Sequence, residues 1–232
     1  MKGGWEILSI NKSKNATDIY IQLSAVLVNN SSNKLINMTQ FGTALERSLK
    51  VCYEFSSYEA FYESPEKSVG HLDGYDYLYR RPFKVFKLLN AHLSVKWRIS
   101  ALANPLNEHL VEIKDDKDLS GVYAKVNNIY GSIVYVNANK VSGIISGFDR
   151  NTLAHEFGHS LGLLHPDINT AWFGFLGYES NQYWTSQKRS KDSLNMMYSG
   201  GSPYMNDSLS THISSSQMRL VIENIRQSKV NQ

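Results

Sequence analysis

His155-Glu156-Phe157-Gly158-His159-Ser160-Leu161-Gly162-Leu163-Leu164-His165 is the stretch around which the chain is organised. Its pattern is H-E-x-x-H-x-x-G-x-x-H. On a helix, His155 and His159 are four residues apart and share a face, so both can bind one metal ion. Glu156 follows His155 at about 100° around the helix axis, which sets its carboxylate beside that face, within reach of a water held at the metal. His165 comes six residues after His159, and on a continuing helix it would point away. The chain must turn, and Gly162 can turn it, because glycine accepts the positive φ of a helix C-terminus. Three histidines with an open fourth position are the pattern of a catalytic zinc site rather than a closed structural one. The chain holds 7 His, 15 Gly and 21 Asp+Glu. At those frequencies the five fixed positions match by chance on the order of once in 10⁴–10⁵ chains, which sets aside unrelated surface histidines as the explanation.

A second stretch, Asn195-Met196-Met197-Tyr198-Ser199, lies farther along. Together the two resemble the zinc signature and methionine turn of the metzincin clan of metallopeptidases. Met197 aligns with the clan's methionine, since Asn-x-Met and Met-Tyr both occur at such turns. In the alternative frame Met196 takes that place, and Tyr198 matches a tyrosine that coordinates zinc in some families of the clan. The remainder of the chain matches only in the order of its elements. The resemblance implies one catalytic Zn2+ held by His155, His159 and His165, with Glu156 as the catalytic acid and base. It implies Met197 beneath the metal, and Tyr198 as an oxyanion contact or fifth ligand. It also implies an α+β, zincin-like fold, with a mixed twisted sheet, an active-site helix and a C-terminal helix. One catalytic domain over 1–232 would carry a cleft between an upper part, about 1–165, and a lower part, about 166–232.

Composition bounds the partners. With 42% hydrophobic and 12% aromatic residues the chain can support a real core. A net charge of +3 gives no basis for nucleic-acid binding. The single cysteine, Cys52, excludes an internal disulfide and reads as a small buried hydrophobe. Its setting, Lys50-Val51-Cys52-Tyr53, does not resemble the latch cysteine of the matrixins. No stretch approaches the ~18 apolar residues of a membrane span. Met1-Lys2-Gly3-Gly4-Trp5 has a basic start with no apolar run behind it, so the sequence reads as a cytosolic chain or as a mature or excised domain of an exported one. Of these, an extracellular setting is the expectation.

The remaining signals are local. Asp18 to Val28 alternates, with Ile19, Ile21, Leu23, Ala25 and Leu27 on one side, and predicts a half-buried strand. Thr39 can cap a helix whose stripe is Phe41, Leu45, Leu49 and Cys52. Residues 54–82 read as aromatic and irregular, with turns at Ser64-Pro65 and His71-Leu72-Asp73-Gly74. Arg80-Arg81-Pro82 reads as a solvated loop, and His71 with Asp73 are too few ligands for a second metal site. Strands are expected at 84–89, 92–100, 110–113, 121–126 and 132–137. Asp149 is the expected cap of the helix carrying His155, with Leu153, Phe157 and Leu161 as its apolar face. Residues 168–194 read as a long structured loop. A final helix is expected after Ser214 or Ser215, with Met218, Leu220, Val221, Ile222 and Ile225 facing inward.

Three functions fit these signals. One is a secreted zinc endopeptidase acting on protein or peptide substrates. Another is the same chemistry as the toxic protease domain of a larger exported protein. The third is a catalytically silent zinc-binding module on the same scaffold. All three ligands and the glutamate are present, which favours an active site over a silent one.

Overall fold

The alternating stretch is the middle of the sheet. The computed structural model of the chain describes residues 3–72, 75–165, 195–197 and 209–230, with 59–72, 75–85 and 215–216 described by backbone alone. The fold is mixed α+β, built on one curled mixed sheet. Strand β2 (Ala16–Asn29) pairs in parallel along one side with β4 (Tyr75–Ile99). Its other side is shared. β1 (Trp5–Lys12) pairs antiparallel with the first half of β2, and β5 (His109–Lys114) pairs in parallel with the second half. Beyond β5 come β7 (Ile133–Asn137), parallel, and β6 (Ala124–Val126), antiparallel, and with β3 (Phe55–Leu72) outside β4 the order is β3-β4-β2-β5-β7-β6. β2 alternates as expected. Ile19, Ile21, Leu23, Ala25 and Leu27 face the main core, where Val111, Ile113, Val134 and Val136 join them. Val26 and Val28 form a small separate cluster with Leu110.

Residues 54–82 are not irregular. β3 (Phe55–Leu72) and β4 form one long antiparallel hairpin, and the expected strands at 84–89 and 92–100 are a single strand. Its backbone groups are satisfied across the pair, so the local turn signal at Ser64-Pro65 survives only as a register shift between Glu63 and Glu66. Proline is tolerated there because β3 lies at the end of the sheet among the described residues. The expected strand over 121–126 also shrinks, to Ala124–Val126.

Helix α1 (Met38–Tyr53) packs Phe41, Leu45, Leu49 and Cys52 into the core. Its cap is Asn37, not Thr39, since the Asn37 side chain accepts the Gln40 N–H at 3.0 Å. Two short helices, α2 (Asp116–Leu119) and α3 (Val141–Ser146), span too few residues to show a period in the sequence. α4 (Thr152–Ser160) carries the first two histidines. The last helix, α5 (Ser215–Arg226), begins at a capping box made by Ser214 and Gln217, and buries Met218, Val221, Ile222 and Ile225. No helix among the described residues is long and apolar enough to cross a membrane.

Candidate metal centre

α4 has nine residues, too few to hold its shape alone. Its neighbours hold it. Asp149 accepts the Thr152 N–H at 3.0 Å, as its sequence position suggests, although Asn151 occupies the cap position itself. Tyr53 Oη donates to the Ala154 carbonyl at 2.8 Å, and Trp5 Nε1 donates to Ser160 Oγ at 3.1 Å. Phe157 is fully buried, edge-on to Trp5 with ring centroids 6.0 Å apart. These contacts turn the opposite face, with His155 and His159, toward a cleft.

Gly162 makes the turn, with φ at +86°. A β-carbon there would stand 2.2 Å from the Tyr130 ring, so glycine is required by space as well as by conformation. The freed carbonyls at the helix end are satisfied. Tyr130 N–H donates to the His159 carbonyl, and Asn224 Nδ2 of α5 donates to that of Leu161. The turn returns His165 to the other two histidines.

The imidazoles converge. His155 Nε2 and His159 Nε2 each lie 3.0 Å from His165 Nε2. His155 Nδ1 is 2.7 Å from the Met196 carbonyl, and His159 Nδ1 is 2.7 Å from that of Leu163. A carbonyl only accepts, so both rings carry their proton on Nδ1. The Nε2 lone pairs of His155 and His159 are therefore left pointing at the shared centre. Nitrogens gathered this closely need a proton or a cation among them, and three imidazoles are a donor set that suits a transition metal. The three residues can hold a metal ion. Burial holds the His159 imidazole well below its ordinary range, reinforced by His155 and His165 and opposed by the Leu163 carbonyl, so it stays neutral and able to ligate.

Glu156 lines the same cleft. Its Oε2 accepts the backbone N–H of Val126 in β6 at 2.8 Å. Burial pushes its carboxyl above the ordinary range, while His155 and the Val126 N–H pull it back. The cleft has a volume of about 580 Å³, walled on one side by residues 122–126 and on the other by Thr152, Glu156 and the three histidines.

Met196 and Met197 are both fully buried and do different things. Met196 offers its backbone carbonyl to His155. Met197 offers its side chain: a β-carbon on Gly158 would stand 2.4 Å from Met197 Sδ, so the sulfur lies directly against α4 between the two histidines in sequence. Tyr198 lies outside the described residues, as does most of the expected lower part of the cleft. Sequence reasoning missed the Val126 N–H, Tyr130, Gln217 and Asn224. The capping-box spacing of Ser214 and Gln217 marks a helix start and nothing more, and the others leave no signal.

No protein-family model matches the chain, and no curated protein matches it.

Proposed function

We propose that the chain is a zinc-dependent endopeptidase of the metzincin kind, acting on extended protein or peptide segments. The observation that carries this reading is the convergence of three imidazole nitrogens beside a cleft-lining carboxylate. When bound, zinc supplies Lewis acidity, lowering the pKa of a water toward ~7 and polarising a carbonyl. Glu156 does the proton work. Its Oε2 is steadied by Val126, and its other oxygen takes the proton from water and passes it to the leaving amine.

The cleft wall supports a polymeric substrate. β6 ends the sheet among the described residues. Asn127 N–H and the Tyr123 carbonyl bond to β7, so at the intervening positions Ala124 and Val126 direct their backbone groups the other way. The Val126 N–H reaching Glu156 agrees with this. The Ala124 groups and the Val126 carbonyl then face the cleft, where an extended peptide can add as a strand.

The test is cleavage-site profiling with the purified chain, with and without chelator, alongside zinc analysis. The expected result is one zinc per chain and chelator-sensitive cuts. Zinc uptake without any cleavage would leave only a silent zinc-binding module, and no uptake would remove the metalloenzyme reading altogether.

A further inference from the structure

The turn that carries Met196 is held by a pair of buried amides. Asn195 is 1% and Gln217 0% exposed. Asn195 Nδ2 donates to Gln217 Oε1 at 2.7 Å, and Gln217 Nε2 donates back to Asn195 Oδ1 at 3.3 Å. The orientation of both amides is settled by backbone donors. Met197 N–H needs an acceptor and finds Asn195 Oδ1 at 2.9 Å, and Ser214 N–H finds Gln217 Oε1 at 2.9 Å. Each amide oxygen therefore accepts twice, and neither amide can flip without setting two donors face to face. On the other side of the turn, Met196 N–H donates to the His212 carbonyl at 2.9 Å. The turn is thus held at Asn195, Met196 and Met197, and the group it presents is the Met196 carbonyl, 2.7 Å from His155 Nδ1.

We propose that Asn195 and Gln217 are positioning residues for His155, fixing its tautomer and ring orientation through the Met196 carbonyl so that Nε2 meets the metal. Apolar side chains could fill the same space but would remove the acceptors that the Met197 and Ser214 N–H groups use, so the pair serves through its hydrogen bonds and not through packing alone. Such partners of a ligating histidine are typically worth about 10–100-fold in metal affinity. The pair ties α5, distant in sequence, to the metal centre. Asn224, seven residues after Gln217 and so on nearly the same face of α5, secures the Leu161 carbonyl at the other end of the site. The inference rests on the metal-binding part of the proposed function and not on peptide hydrolysis.

The test has two arms. In the metal-free protein, NMR reads the imidazole Nδ1–H signals of His155 and His159. In Asn195→Ala and Gln217→Leu the His155 signal should be lost or exchange faster. That of His159, held by Leu163 within the α4 turn, should stay. In the second arm, Co2+ affinity is measured by chelator competition, with the cobalt spectrum as a check on geometry. Asn195→Ala should weaken binding about 10–100-fold. The loss should persist in a His165→Ala background and vanish in a His155→Ala background. Equal loss in both backgrounds, or loss of both histidine signals together, would overturn the proposal in favour of general destabilisation. A wild-type chain that takes up no cobalt would overturn the metal reading itself, and the NMR arm would still decide whether Asn195 acts through His155.

Discussion

At the scale of single residues, the proposed mechanism gives proton transfer and metal binding to different side chains. Glu156 lies in the cleft but outside the cluster of imidazole nitrogens. Glu156→Gln is nearly isosteric and keeps an oxygen for the Val126 N–H, yet it cannot accept a proton from water. Turnover should fall by at least about 10²–10⁴-fold, with zinc retained. His159→Ala should lose both zinc and activity. Peptide hydrolysis measured alongside zinc content checks the pair, and a Glu156→Gln protein that cleaves at the wild-type rate refutes the mechanism. Gly158 gives a second contrast. A methyl added there meets Met197 Sδ, so Gly158→Ala should cost about 1–3 kcal/mol by overpacking. Met197→Leu, close in volume, should cost under about 1.5 kcal/mol. Denaturant midpoints of the metal-free proteins test that order. The reverse order would mean that the sulfur makes a contact an aliphatic group cannot replace.

At the scale of elements, α4 is a short helix whose histidines are held in place by its neighbours. Gly162→Ala should show this. Alanine would be strained at a φ of +86° and would press on the Tyr130 ring, so the turn must open and carry His165 away. The expected result is a loss of zinc affinity larger than the loss of stability would produce by itself. Calorimetric titration with zinc and thermal melts of the metal-free protein read the two separately. Legibility at this scale was uneven. The α4 signature was readable because ligand spacing and helix period coincide. The β3–β4 hairpin was not, because its aromatic alternation was interrupted by turn-forming residues that the paired strands absorb as a bulge. Asn37 and Thr39 are both good caps, and only the path of the chain into α1 chose between them.

At the scale of the whole molecule, buried imidazoles make the fold acid-sensitive. His109 is fully buried against Trp5 and Phe157, and its Nδ1 accepts the Gly4 N–H at 2.9 Å. Burial pushes it down to about 3, with a Gly131 backbone contact opposing the shift. In the unfolded chain the group titrates near ~6.5. Between those values the unfolded state binds the proton and the native state does not. The stabilisation is therefore fully present above ~6.5 and is lost as pH falls toward about 3. His159 shifts in the same direction. Urea unfolding of the metal-free protein should show stability falling on the acid side by about 1.4 kcal/mol per pH unit for each such group. His109→Gln should flatten that slope, and an unchanged slope would show that His109 is not its source.

The sequence by itself determined the three histidines that cluster, the turn at Gly162, the strand at the centre of the sheet and the inward face of the last helix. Each follows from residue types at fixed spacings within one element, where chain geometry alone relates the positions. The tertiary structure decided what those positions meet. It brought the Val126 N–H to Glu156, the Met196 carbonyl to His155, and the Asn195–Gln217 pair beneath them. Such contacts join residues 22 to 41 positions apart through backbone groups that every residue type carries, or through amides that suit a cap or a turn equally well. No local pattern encodes them, because they exist only once packing has set the distances.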